Sequence, residues 1–73
     1  MPKEFDLIKM IEAHLAKYAL KYLDSPKKRK EIDKAAKEMI SWTRDEEKKL
    51  ELSQFYEKMK DPANLEDYLA QHQ

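Results

Sequence analysis

The chain has 73 residues, with no cysteine and no glycine, and its 15 basic and 15 acidic side chains cancel to a formal charge of zero. A chain without cysteine has neither disulfides nor a thiolate metal site, and one without glycine lacks the loops that cradle nucleotide phosphates. Because the charges cancel, no overall field draws the protein toward nucleic acid or membrane.

The composition predicts an all-α fold. Valine is absent, and alanine, glutamate, lysine and leucine, which favour helices, are common. The length suits one domain, residues 1–73, built as a small bundle of three main antiparallel helices and a short C-terminal helix. A domain this small buries little apolar surface, so dimerisation is one way in which the bundle is completed.

The chain has no apolar run approaching the roughly 18 residues that span a membrane, and its first residues lack the apolar core typical of a signal peptide. We therefore expect a soluble, cytoplasmic protein without a membrane partner.

Start signals divide the chain into four predicted helices, near residues 3–23, 26–41, 44–60 and 62–71. Ser25 and Asp61 each precede a proline, which is typical of an N-cap followed by proline in the first helical turn. Thr43 and Glu46 stand three residues apart, as in a capping box. We therefore predict that Ser25, Thr43 and Asp61 cap the second, third and fourth helices.

The first predicted helix carries more apolar surface than its neighbours easily cover. One broad stripe holds Ile11 and Leu15, and a second stripe beside it holds Phe5, Leu20 and Leu23. The second stripe either receives the short fourth helix or meets a partner chain, with a symmetric dimer as the simplest case. The sequence leaves both alternatives open.

Other apolar residues stand away from the main stripe of their helix. Met10 and Leu50 are of this kind, whereas Trp42, at the end of the second helix, is expected to be a core or interface anchor. The candidate protein interface comprises Phe5, Met10, Leu20, Leu23 and Leu50.

Basic residues collect at the start of the second helix and along one side of it. Lys27, Lys30, Lys34 and Lys37 share a predicted exposed strip, which suits an anion or a nucleic-acid backbone. The alternative is a solvated face, on which Glu31 pairs with Lys27 and Glu38 with Lys34. The strip has no aromatic residue to stack on bases, which counts against single-stranded nucleic acid.

The sequence has no arrangement typical of catalysis or metal binding. Its two histidines, His14 and His72, have no further ligands at metal-site spacing. We therefore predict no catalytic residue, no metal and no cofactor, in a protein that is not an enzyme.

Two functional hypotheses follow. The first is a small helical interaction or regulatory module that docks an apolar helix face on a protein partner or on a second copy. The second is an accessory nucleic-acid-binding protein that uses the lysine strip of the second helix.

Overall fold

The computed structural model describes residues 7–71, which form four α-helices without a strand. The helices are α1 (Leu7–Asp24), α2 (Arg29–Ser41), α3 (Glu46–Met59) and α4 (Pro62–Gln71). A single 3₁₀ turn, Pro26–Lys28, joins α1 to α2. The prediction of an all-α bundle with a short C-terminal helix is confirmed. Phe5 and His72 lie outside the described residues, as do residues 3–6 of the first predicted helix.

Each helix runs antiparallel to the next, as the contacts between their ends indicate. Tyr18 in α1 and Ala35 in α2 line one depression, and the rings of Phe55 in α3 and Tyr68 in α4 lie 5.4 Å apart. Asp33 in the first half of α2 meets Tyr56 near the end of α3. Within residues 7–71, α1 packs against all three other helices, whereas α2 and α4 do not contact each other. Helices α1 and α3 therefore form the centre of the bundle, with α2 on one side and α4 on the other.

The core lies along the centre of α1 and is completed by the other three helices. Ala16, Ala19 and Ala36 are fully buried, and their small side chains let helices approach closely. The buried apolar residues are Ile11, Leu15, Ala16, Ala19, Ala36, Met39, Ile40, Leu52, Tyr56, Met59 and Leu65. All four helices thus contribute to one continuous core.

The predicted capping box at Thr43 is wrong, because Asp45 caps α3 instead. The Asp45 carboxylate accepts from the backbone N–H of Glu47 at 2.9 Å and of Lys48 at 3.4 Å. Thr43 is buried, and its own backbone N–H donates to the carbonyl of Ile40 at 3.2 Å. Since Thr43 still belongs to the turn that ends α2, it is not free to begin the next helix.

The other two predicted caps have different outcomes. Asp61 accepts from the backbone N–H of Ala63 at 3.0 Å, so its capping role is confirmed. The Ser25 side chain makes no capping bond, and the prediction for it is wrong. Its backbone carbonyl instead accepts from Lys28 at 3.0 Å and closes the 3₁₀ turn. Helix α2 therefore begins at Arg29, three residues later than predicted.

These caps give a direct stability prediction. Asp45→Ala removes the acceptor for two N–H groups of the first turn of α3, and we expect it to lower the free energy of unfolding by about 1 kcal/mol. Ser25→Ala is the matched control and should change it by no more than about 0.3 kcal/mol, because no side-chain bond is lost. Urea denaturation followed by circular dichroism measures both. Equal effects of the two variants would contradict the assignment.

Candidate functional site

The second apolar stripe of α1 is partly covered by α4. Leu23 is half-buried and packs against the core, whereas the Leu20 side chain remains 47% exposed. Between the two helices runs an open groove, which we call the α1–α4 groove. It is lined by Leu20, Leu23, Pro62, Leu65, Glu66 and Leu69. Helix α4 therefore covers part of the second apolar stripe and leaves the α1–α4 groove open beside Leu20.

The remaining predicted interface residues are dispersed. Met10 is half-buried against the core, and Phe5 is outside the described residues. Leu50 is 60% exposed on α3 and does not line the α1–α4 groove. Trp42 is 58% exposed, so the expectation of a core residue is wrong; α2 ends at Ser41, and Trp42 lies past its packed face. Of the five candidates, the structure brings together Leu20 and Leu23.

The predicted lysine strip is exposed, and three of its four members share one surface. Lys30, Lys34 and Lys37 line a shallow depression together with Asp33. Lys27 lies in the 3₁₀ turn and lines a different surface. Among residues 7–71, none of these four lysines has a carboxylate within 4.0 Å of its Nζ atom.

The predicted ion pairs of Lys27 with Glu31 and of Lys34 with Glu38 are therefore not formed. Among residues 7–71, the lysines of the strip thus form no ion pair with the carboxylates of their own helix.

A polar cluster that the sequence analysis did not identify joins α1, α2 and α3. Asp33 Oδ1 accepts from the Tyr56 hydroxyl at 2.8 Å and from Lys60 Nζ at 3.1 Å. Lys60 Nζ lies 4.6 Å from the ring centre of Tyr22 and 4.8 Å from that of Tyr56. The Arg29 guanidinium also lies over the Tyr22 ring, with its Cζ atom 4.8 Å from the ring centre. The Arg29 Nε atom donates to the Tyr22 carbonyl at 2.9 Å. These five side chains form what we call the Asp33–Lys60 cluster.

The pKa values of the cluster follow from burial and from these contacts. Partial burial alone would raise the pKa of Asp33, but hydrogen bonds from Tyr56 and Lys60 and the charge of Lys60 outweigh it and lower the pKa. Burial would likewise lower the pKa of Lys60, but its bonds to Asp33 and Glu57 raise it instead. Burial, reinforced by the bond to Asp33, strongly raises the pKa of Tyr56.

The direction of these pKa shifts bears on what the cluster does chemically. A lysine or tyrosine that acts as a base or nucleophile near neutral pH needs a lowered pKa. The pKa values of Lys60 and Tyr56 are raised, so both groups keep their protons. The contacts of the cluster connect α1, α2 and the end of α3, and its one negative charge, on Asp33, forms an ion pair with Lys60.

A sequence signal for the cluster existed but was ambiguous. Arg29 and Asp33 are four residues apart on α2, and Tyr56 and Lys60 are four apart on α3, so each pair shares a helix face. The sequence does not reveal that the two faces meet, because that depends on how α2 and α3 pack.

Residues 7–71 contain neither a metal-binding cluster nor a membrane-spanning helix. No group of three His, Cys, Asp or Glu residues in the described part of the chain has the geometry to hold a metal. His14 is exposed, and its Nδ1 pairs with the carbonyl of Met10 at 2.9 Å. None of the helices in residues 7–71 is both long enough and apolar enough to cross a bilayer.

Known proteins give no guide to these surfaces. No protein-family model, curated protein or solved structure matches this chain. The α1–α4 groove and the lysine strip are therefore interpreted from their own chemistry.

Proposed function

We propose that this protein is a small, non-enzymatic helical interaction module that associates with a second copy of itself through the α1–α4 groove. The observation that carries the proposal is that Leu20 is half-exposed beside the apolar part of the α1–α4 groove, which Leu23, Pro62 and Leu69 line. In a symmetric pair, each copy presents the same surface to the other. An exposed apolar side chain next to an apolar groove therefore suits self-association. Leu20 of each copy then packs into the α1–α4 groove of the other copy.

The charges beside the groove support a second copy as the occupant. Lys17 lies one turn before Leu20 on α1 and is exposed, and Glu66 is exposed on the α4 side. A two-fold axis along the groove brings the α1 side of each copy over the α4 side of the other. Lys17 of one copy then faces Glu66 of the other, twice in the pair.

The expected affinity is modest. Burying the exposed half of one leucine from each copy contributes about 2 kcal/mol in total, and two rim ion pairs add about 1 kcal/mol. Contacts of the remaining groove residues must offset the entropy of association as well. The two contributions sum to about 3 kcal/mol, which is less than the roughly 4–5.5 kcal/mol that a Kd between 1 mM and 100 µM represents. We therefore expect a weak, reversible dimer with a Kd of roughly 0.1–1 mM, in which burial of the other groove residues supplies the difference.

Sedimentation equilibrium from about 10 µM to about 1 mM tests the proposal across that Kd. Leu20→Glu places a charge in the α1–α4 groove and should weaken self-association by at least tenfold, with the circular dichroism spectrum unchanged. Leu50→Glu is the control, because it makes the same chemical change at an even more exposed leucine on α3. A strict monomer at 1 mM, or a dimer weakened by Leu50→Glu and not by Leu20→Glu, would refute the groove as the interface.

A charge exchange tests the orientation of the pair. Lys17→Glu and Glu66→Lys should each weaken association by a few-fold, because each places like charges opposite one another in the proposed pair. The double variant restores opposite charges and should restore association. Additive weakening in the double variant would exclude this two-fold arrangement.

A non-enzymatic role and a cytoplasmic location are part of the same proposal. The raised pKa values of Lys60 and Tyr56 support a non-enzymatic role, because neither group is activated. The lack of cysteine in the sequence supports the cytoplasm, where disulfides are not used for stability. Cell fractionation of the tagged protein tests the compartment.

A further inference from the structure

Three lysines on α2 form a linear array of positive charge. Lys30, Lys34 and Lys37 are exposed and line one depression, and together they span about 10 Å along the helix axis. Within residues 7–71, no carboxylate forms an ion pair with any of them. Acidic residues stand three or four positions from these lysines, at Glu31, Asp33 and Glu38, yet none of them forms an ion pair with the array.

The Asp33–Lys60 cluster binds the one carboxylate that lines the depression. Asp33 is the acidic residue that lines the same depression, yet its Oδ1 atom is bonded to α3, to Tyr56 at 2.8 Å and to Lys60 at 3.1 Å. Lys60 therefore forms the ion pair with Asp33, and the charge of Lys37 acts on Asp33 from beyond ion-pair distance. The depression, with three lysines and one aspartate, therefore keeps a net positive charge.

The chemistry of the array favours a polyanion over a protein surface. The core of a protein interface is depleted in lysine and enriched in aromatic residues, methionine and arginine. The depression is lined by three lysines and one aspartate, without an apolar side chain. Lysine ammonium groups bind phosphates as point charges, whereas the stacking of single-stranded bases needs aromatic rings that this surface lacks.

We infer that Lys30, Lys34 and Lys37 bind the phosphate backbone of a double-stranded nucleic acid without reading its sequence. Backbone contacts position a protein on the duplex and carry no base specificity. The site is separate from the α1–α4 groove, because α2 and α4 lie on opposite sides of the central helices and do not touch in the described chain.

The salt dependence of binding gives the first test. Fluorescence anisotropy with a labelled duplex DNA of about 20 base pairs should show log K falling against log salt with a slope of about −2.7, as expected for three phosphate contacts. Between about 25 mM and about 200 mM NaCl, this slope corresponds to a loss of roughly 300-fold in affinity. A slope near zero would overturn the inference.

Charge reversal locates the site. Lys34→Glu/Lys37→Glu should weaken duplex binding at low salt by at least tenfold. The control, Lys21→Glu/Lys58→Glu, makes the same change in net charge at exposed lysines outside the depression and should weaken it by less than about threefold. Equal losses in the two double variants would show non-specific electrostatics and would overturn the assignment to α2.

Removing the negative charge of Asp33 should strengthen duplex binding, whereas reversing the lysine charges should weaken it. Asp33→Asn keeps an oxygen acceptor for Tyr56 but removes the negative charge beside the array, so duplex binding should tighten by about threefold. Asp67→Asn removes the same charge from an exposed position on α4 and should leave the affinity within experimental error. If the two variants bind the duplex alike, the site is not at Asp33.

Competition and sedimentation separate this inference from its alternatives. Polyglutamate that displaces the duplex more strongly than unlabelled duplex does would show an acidic protein as the ligand and would overturn the inference. Tighter binding of a single-stranded oligonucleotide would do the same. Lys34→Glu/Lys37→Glu should leave self-association unchanged, so failure of this inference and failure of the α1–α4 groove are distinguishable.

Discussion

Leu15→Ala is expected to lower the free energy of unfolding by about 3 kcal/mol. Leu15 has no exposed surface and lies at the centre of α1, the helix that contacts all three others in the described chain. Removing its branched end costs the burial of that surface and leaves a cavity that surrounding helices fill only in part. A domain of this length typically has about 5 kcal/mol of stability, so this one change removes more than half of it.

Urea denaturation followed by far-ultraviolet circular dichroism measures this effect. Leu50→Ala is the matched control, because the same atoms are removed from a side chain that is 60% exposed. It should change the free energy of unfolding by no more than about 0.5 kcal/mol. Equal destabilisation by the two variants would contradict the assignment of α1 as the core helix.

The second large effect is expected at Asp33. Asp33→Ala removes the acceptor for the Tyr56 hydroxyl and for Lys60 Nζ together, and should cost about 2–3 kcal/mol near neutral pH. Tyr56 is buried, so its hydroxyl loses its protein partner without gaining easy access to water. Asp33→Asn keeps an acceptor oxygen at the same place and should cost only about 1 kcal/mol. An alanine variant as stable as the asparagine variant would show that the bond to Tyr56 is not stabilising.

The pH dependence of this effect has a defined direction. The pKa of Asp33 is lowered in the folded protein, so its contribution is present above 3.8, the usual pKa of an unfolded aspartate. It is lost as the pH falls through the lower, folded value. The pKa values of Lys60 and Tyr56 are raised, so their contributions are complete below 10.5 and 10.0 and are lost as the pH rises beyond them.

Stability measured from pH 3 to pH 11 should therefore differ most between wild type and Asp33→Ala in the middle of the range. The difference should narrow at both ends, because the unfolded chain protonates Asp33 below its usual pKa and deprotonates Tyr56 and Lys60 above theirs, while the folded cluster keeps its ionisation. A constant difference across the range would show that the Asp33–Lys60 cluster is not ionised as described.

The candidate surfaces differ in how far the sequence predicted them. Lys30, Lys34 and Lys37 were correctly placed on an exposed strip, because helical spacing alone brings them to one face. Their lack of partners was not predicted, since the sequence equally allowed pairs with glutamates one turn away. The exposure of Leu20 depended on how closely α4 approaches α1, which no local pattern specifies.

The helix caps also differ in how far the sequence predicted them. Asp61 before Pro62 was predicted correctly, because the N-cap and the proline act within a few residues of each other. Between α2 and α3, the prediction of Thr43 as the cap was wrong. The choice of Asp45 depends on Thr43 being held in the final turn of α2 and buried against the bundle.

The sequence by itself determined the helical class, the number of helices and the buried face of α1. These features depend on helix propensity, periodicity and caps, all of which act over a few residues. Only the tertiary structure decided that Asp33 bonds Tyr56, 23 positions away, and that Lys60 lies between two tyrosine rings. Such contacts depend on the direction and distance at which whole helices pack, and those are set by the summed burial of the core, so no single segment encodes them.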